Sequence, residues 1–396
     1  MHLKIIGLLG MMSAAAVAQV PALQRTFSTR PGTPAVRLGD EIEVCGQLFH
    51  TSAPVVLWND PNAYDAYRLG KRFADSRGDG PAHVAVGTRA SSLTDAEVEQ
   101  VRGGNWTLPF LQEHVDQFVI HYDVCGLSRE CFRVLHDGRG LTVHFMLDID
   151  GTIYQTMDLK DQAAHATIAN GRSIGIEIAN MGAYPITSSP LPLNEWYMKD
   201  GTGQVRITIP ARLGDGGVRT PNFVGRPARP EMIAGMVQGK EYRQYDFTPQ
   251  QYDSLIRLTA TLCTLFPKIT CDYPRQRASF GPPSPMPMTQ PAPEDMKARF
   301  TALASPGEPG QLIPHVLTPD QFSNYQGVLG HYHVQLDKED PGPAFQWDRV
   351  INGARALMTP QARVKNMQSR GQPAKFIPSP PTTQPAVITP AQPSPQ

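Results

Sequence analysis

The sequence predicts an α/β fold: a single mixed β-sheet flanked by helices on both faces, with a cleft along its edge. Three observations carry this expectation. The segments FVIHYD (118–123), LTVHFMLDI (141–149) and SIGIEIAN (173–180) place apolar residues at every second position, the period of a strand. Stretches with helix-start chemistry lie between and after them. The two kinds of element interleave, which favours one sheet covered on both sides.

Taken in order, EIEVCGQLFH (41–50) is strand-like and a capped helical stretch starts at Thr94. Residues 19–110 otherwise read as an N-terminal extension without chemistry, with Asp60, Asp65 and His83 as ordinary surface residues. In FVIHYD, Phe118, Ile120 and Tyr122 share one face and Val119 and His121 the other, as in a half-buried strand. Ser128 reads as the cap of a helix continuing to about His136. Leu141, Val143, Phe145, Leu147 and Ile149 form one face of the next strand, which turns His144 away from the core; Asp150-Gly151 then makes a hairpin into Thr152–Thr156. In SIGIEIAN the apolar face is Ile174, Ile176 and Ile178, and Glu177 shares the other with Ser173, Gly175 and Ala179. Gly175 and Ala179 are too small to cover that face, which sets Glu177 at the floor of a cleft. Thr248-Pro249-x-Gln251 starts a long helix with stripe Tyr252, Leu255, Ile256, Leu262 and Phe266, ended by Pro267.

Two regions interrupt this core. Residues 183–245 are rich in Gly, Pro and aromatics and either fold over the cleft or elaborate the periphery. A second insertion, about 272–316, contains GPPSPMPMTQPAP (281–293); this and the tail, 361–396 and Pro-rich from Pro373, read as extended or disordered. Lys plus Arg and Asp plus Glu both total 36, so no basic excess exists to bind nucleic acid or an anionic membrane. Residues 1–18, MHLKIIGLLGMMSAAAVA, read as a cleaved signal peptide, which predicts export to a periplasmic or extracellular space. No second apolar run is long enough for a transmembrane segment, and a monomer is expected.

Chemistry concentrates in three separated pieces: His121 in FVIHYD, Glu177 in SIGIEIAN, and His331 to Asp340 in GHYHVQLDKEDPG. An open catalytic zinc site needs three ligands drawn from His, Asp, Glu or Cys, and a separate carboxylate to take a proton. Each piece has a plainer reading, as a structural histidine, a solvated carboxylate or a charged surface turn. Together they supply every part of a hydrolytic zinc site, and Lys338 lies two residues before a carboxylate fixed by a Pro-Gly turn.

The run HYDVCGLSRECFRVLHDGRGLTVHFMLDIDGTIYQTMDLKDQAAHATIANGRSIGIEIANMG, His121 to Gly182, resembles the type 2 N-acetylmuramoyl-L-alanine amidase family, which also contains the peptidoglycan recognition proteins. GHYHVQLDKEDPGPAFQW resembles that family's closing motif. The resemblance implies a zinc amidase type 2 fold over 111–360, with peptidoglycan or muropeptides as substrate and Zn2+ as cofactor. It implies His121, His331 and Asp340 as metal ligands, Lys338 as the cation polarising the scissile carbonyl, and Glu177 as general base. Val143 stands where some members carry a base tyrosine, so Glu177 would act alone. His144 and His165 match histidines that line the substrate cleft. The resemblance also implies a Cys125–Cys131 disulfide. Cys263 and Cys271 could form a second bridge or remain buried thiols, and Cys45 is left over.

The departures are specific. YHVQLDKE lacks the Pro and Arg usual between the last two ligands, which leaves His333 as a competitor to His331. Ala164-His165-Ala166-Thr167 lacks the family's Trp before the cleft histidine, removing an aromatic wall. Two other functions fit parts of the pattern. A recognition module would bind muropeptides without cutting, but normally lacks the third ligand; a zinc peptidase would use His331-Tyr332-His333 as an H-x-H pair and leave His121 aside.

Overall fold

In this computed structural model the described residues are 37–77, 80–81, 86–188, 192–276 and 310–368. The expected leader, His83, the 281–293 segment and the tail beyond Gln368 lie outside them; the start of the tail, expected to be disordered from 361, is instead helical over Pro360–Gln368. Among the described residues no helix is long and apolar enough to cross a membrane.

The core is a six-stranded sheet whose strands, in chain order, are β1 (Val55–Leu57), β2 (Gln117–Tyr122), β3 (Phe145–Leu147), β4 (Ile153–Gln155), β5 (Ser173–Ile178) and β6 (Gly327–Gly330). Across the sheet they run β6-β2-β5-β3-β4-β1. All neighbours are parallel except the β3–β4 hairpin, so the sheet is mixed as expected. Asp150-Gly151 makes the turn of that hairpin. Gly151 sits at φ +86°, where a Cβ would lie 2.8 Å from the Gln250 carbonyl oxygen, so both conformation and space require glycine.

Both faces are covered. Among the described residues the α-helices longer than one turn are α1 (Asp95–Val101), α2 (Leu108–His114), α3 (Ser128–Phe132), α4 (Pro249–Leu265), α5 (Pro319–Asn324), α6 (Trp347–Leu357) and α7 (Pro360–Gln368). Phe118, Ile120, Ile174, Ile176 and Ile178 pack against Leu255, Leu258 and Leu262 of α4 and Val350 and Ile351 of α6. Val119 and Leu329 pack the opposite face with Ile313, Leu317 and Phe322, while Met146 and Tyr154 meet Cys131 and Phe132 of α3. β2 is therefore buried along its whole length rather than half-buried. The Thr248 and Gln251 side chains form the expected capping box on α4, and Thr94 and Glu97 form one on α1.

Several local expectations need correction. Leu127, not Ser128, caps α3; Ser128 is already helical and its hydroxyl is buried without a partner, and the helix passes into a wider turn at Arg133–Gly138. The strand expected over 141–149 is ordered as a ladder only at Phe145–Leu147, so alternation does not fix the direction of His144. That ring is fully buried. The N-terminal extension is not separate: β1 pairs with β4 at the sheet edge, and Glu41–Val44 forms a hairpin with Gln47–His50 whose apolar side joins the main core. All five cysteines are free, so the expected Cys125–Cys131 bridge is not formed and Cys263 and Cys271 are buried thiols; Cys125 and Cys131 pack as apolar groups beside Phe132, and Cys271 Sγ lies 3.7 Å from the Ile351 carbonyl oxygen.

Candidate active site

β2 and β6 lie side by side in parallel, and the site grows from the chain where they end. His121 is the next-to-last residue of β2, and His331 follows the last residue of β6 directly. The turn through Asp340-Pro341 then folds back, with Tyr332 N–H donating to the Asp340 carbonyl at 3.1 Å. The result is a buried three-atom cluster. His121 Nδ1 and His331 Nδ1 are 3.0 Å apart and lie 2.9 and 3.1 Å from Asp340 Oδ2.

The outer ring atoms show that this cluster fits a metal. His331 Nε2–H donates to Gln335 Oε1 at 2.7 Å, which leaves Nδ1 unprotonated in the neutral ring. His121 Nε2 has a matching partner, His165 Nδ1, at 3.0 Å, and His165 Nε2 reaches Ser173 Oγ at 3.2 Å. A proton held at His121 Nε2 therefore frees its Nδ1 as well. Ligand bonds of about 2.0–2.1 Å in a tetrahedral arrangement place ligand atoms about 3.3 Å apart, so the cluster needs only a small expansion. Burial and the neighbouring His331 push the His121 pKa down to about 4, which favours the neutral, ligating ring. Burial opposes the charge on both Asp340 and His331, but their mutual attraction outweighs it: the carboxylate's pKa falls and the imidazole's rises.

His333, the competitor from the sequence, is turned elsewhere. Its Nδ1 accepts from Gly330 N–H and its Nε2 donates to the Ile313 carbonyl, so both nitrogens are used. The H-x-H pair of the peptidase alternative is thereby split.

The cluster opens into a cleft of about 500 Å³ lined by His165, Glu177, Lys338, Arg139 and Glu339 among others. Glu177 is directly opposite His121 in the β2–β5 register, and its Oε2 is buried without a partner. Burial, then the charges of Asp340 and Asp123, hold its pKa well above the carboxylate range. Gly175 makes room for the cleft histidine: a Cβ there would lie 2.5 Å from His165 Nδ1. Lys338 is partly exposed along the cleft, 3.6 Å from Asp337.

His144 is the expected site residue that the cleft does not contain. Its Nδ1 accepts from Gly175 N–H at 3.1 Å and its Nε2 lies 3.1 Å from the Asp161 carbonyl, so it ties strand to loop beneath the floor instead of lining it. Two supports were missed in the sequence. Arg89, fully buried, donates to the carbonyls of Leu159 and Ser173 at 2.8 and 2.9 Å and contacts those of Asn170 and Gly171, binding the extension to the loop that carries His165. Gln238 sits at the turn of the Ile233–Val237 and Lys240–Gln244 hairpin, inside the 183–245 insertion. Its Nε2 donates to the carbonyls of Tyr332, Gln335 and Lys338 at 2.9, 2.9 and 3.2 Å, and its Oε1 accepts from Val316 N–H. Among its described residues the insertion contributes no lining to the cleft; through Gln238 it braces the loop between the second and third ligand candidates.

Fold and site together define a class, an α/β protein with a two-histidine, one-carboxylate cluster at the end of its sheet that could hold a metal ion. Residues 111–278 match the family model described as N-acetylmuramoyl-L-alanine amidase. His331, Lys338 and Asp340 lie beyond the matched segment and join it through β6. A search of curated proteins finds no matching relative. Among solved structures, a selenomethionine derivative of AmpD is 15% identical, covering 75% of this chain and 99% of that one at a TM-score of 0.27. AmiD from E. coli, in complex with anhydro-N-acetylmuramic acid-L-Ala-D-gamma-Glu-L-Lys, is 17% identical over 61% of this chain and 57% of that one, with a TM-score of 0.28. LysC, an N-acetylmuramoyl-L-alanine amidase from Clostridium intestinale URNW, is 14% identical over 63% and 89%, with a TM-score of 0.26. Scores this low carry no argument; the fold is read from the sheet itself.

Proposed function

We propose that the protein is an exported, zinc-dependent N-acetylmuramoyl-L-alanine amidase, hydrolysing the amide bond between the lactyl group of muramic acid and L-alanine in peptidoglycan or its fragments. The observation that carries this reading is the convergence of His121 Nδ1, His331 Nδ1 and Asp340 Oδ2 at the head of a cleft that also holds Glu177 and Lys338. These three side chains would hold the ion, which when bound supplies Lewis acidity, acidifying water and polarising a carbonyl.

The remaining work falls to the chain's own groups. Glu177 presents an unpartnered carboxylate oxygen at the cleft floor, able to accept the proton of the attacking water and return it to the departing amine. Lys338 offers its ammonium group to the developing oxyanion. His165 holds the His121 ring in orientation while contributing a wall. Export rests on the first eighteen residues, which have the charged start, apolar run and small-residue end of a leader.

Mass spectrometry of sacculi digested by the purified protein tests the reading. Release of intact stem peptides beginning with a free L-alanine amine is expected, together with about one zinc per chain by elemental analysis. Loss of terminal D-alanine alone would establish a peptidase instead, and binding without any cleavage would establish a recognition module.

A further inference from the structure

A second cavity, of about 460 Å³, lies at the other side of the sheet, against β1 and β4. It shares no lining residue with the cleft, and Tyr154 on β4 is three strands from His121 on β2, about 14 Å at the usual strand spacing. Its floor is Tyr64 and Tyr154, only 4% and 5% exposed, with ring centroids 4.6 Å apart. Among the described residues neither phenol oxygen has a hydrogen-bond partner and neither is sealed from solvent, so both hydroxyls are open to a ligand in the cavity. Three arginines line the rim: Arg72, Arg129 and Arg219. Arg129 is engaged by Glu130, Asp215 and the Leu213 carbonyl. Among the described residues Arg219, which is exposed, has no hydrogen-bond or ion-pair partner, and the Arg72 side chain bonds only through Nε, to the Ala63 carbonyl. Among the described residues the cavity thus offers two arginines and two phenol hydroxyls that have groups to spare for a ligand.

We propose that this cavity binds a sugar acid, specifically the muramyl residue of glycan from which the stem peptide has been removed. The match is chemical. Tyr64 is packed between Phe132 and Tyr154, and Arg72 and Arg133 lie over Phe73, so aromatic faces are taken and recognition rests on charge and hydroxyls. A carboxylate satisfies the arginines, and ring hydroxyls satisfy the phenols. Amide hydrolysis at the cleft would generate that ligand: water adds across the C–N bond, the amine leaves with the peptide, and the lactyl carboxylate stays on the sugar. The ligand's identity therefore rests on the proposed function, whereas the cavity does not. Bound there, product glycan would keep the protein on wall already being opened.

Calorimetric titration of the intact chain with N-acetylmuramic acid, N-acetylglucosamine and the tripeptide L-Ala-γ-D-Glu-L-Lys tests this. Saturable binding of N-acetylmuramic acid is expected, weaker by about tenfold for N-acetylglucosamine and for Arg219→Ala, and by a few-fold for Tyr154→Phe, with muropeptide turnover unchanged in both variants. Absence of saturable binding, equal affinity for the uncharged sugar, preference for the tripeptide, or indifference to both substitutions would overturn the proposal. Binding that persists in a protein without amidase turnover would count against the proposed function alone and leave the cavity's ligand class standing.

Discussion

At the scale of single residues, the candidate centre depends on where protons sit. Two imidazoles present their Nδ1 atoms to one carboxylate because their Nε2 atoms have other partners, Gln335 and His165. His121→Ala is expected to lose the metal, read as zinc per chain falling to background. Lys338→Ala is expected to retain zinc while turnover falls by about a hundredfold or more, the usual effect of removing one oxyanion donor; a loss of zinc instead would make Lys338 structural. Gly175→Ala adds a carbon where only 2.5 Å separates it from His165 Nδ1, so the ring must move and His121 loses its outer partner. Weaker zinc retention against a chelator is expected, and unchanged retention would show that the relay is dispensable. His121 and Glu177 stood out in the sequence as polar exceptions inside strongly patterned segments, and Asp340 by its place directly before a Pro-Gly turn. Period-two reasoning carried past the ladder at Phe145 turned His144 away from the core, whereas the ring is buried; the cleft lining that the resemblance implied for it is not found among the cleft residues.

At the scale of elements, the hairpin at Ile233–Gln244 has a role its composition does not announce. Three carbonyls of the loop that runs from His331 to Asp340 converge on one amide, that of Gln238. Gln238→Met keeps the volume and removes the donors, so zinc affinity is expected to fall by about tenfold with little change in the midpoint of thermal unfolding. Gln238→Glu is not expected to rescue it, since a carboxylate has no N–H to give; wild-type zinc affinity in both variants would sink the assignment. A glutamine about 100 residues from its partners carries no signal in a sequence, and neither does a buried arginine such as Arg89, since most arginines are exposed. Helix starts fared better. The Thr248–Gln251 capping box was legible because cap chemistry is local, whereas Ser128 was misplaced by one residue because serine is equally at home in a first turn.

At the scale of the whole molecule, the sheet joins what the sequence separates. β1 comes from a region that looked like an appendage; VVL is too short to show alternation and is buried on both faces, so it left no period to read. The fold also buries acids away from the cleft. Burial, reinforced by Asp150, raises the Asp148 pKa to about 8, against 3.8 when unfolded. The folded state therefore keeps a proton that the unfolded chain releases, and this contribution is complete below pH 3.8 and lost as pH rises through about 8. Asp148→Asn cannot ionise, so its stability relative to wild type is expected to improve from pH 5 to 8 in urea titrations; a constant difference across that range would show that Asp148 is ionised in the fold.

The strand order has a temporal consequence. Because Gly327–Gly330 docks beside Gln117–Tyr122, the last two ligand candidates reach the first only after some two hundred residues of further synthesis. A nascent chain can build most of the sheet and still be unable to cut anything. The hydrolase is thus armed by its own completion, and a fragment ending at residue 310 is expected to hold no zinc however well it folds.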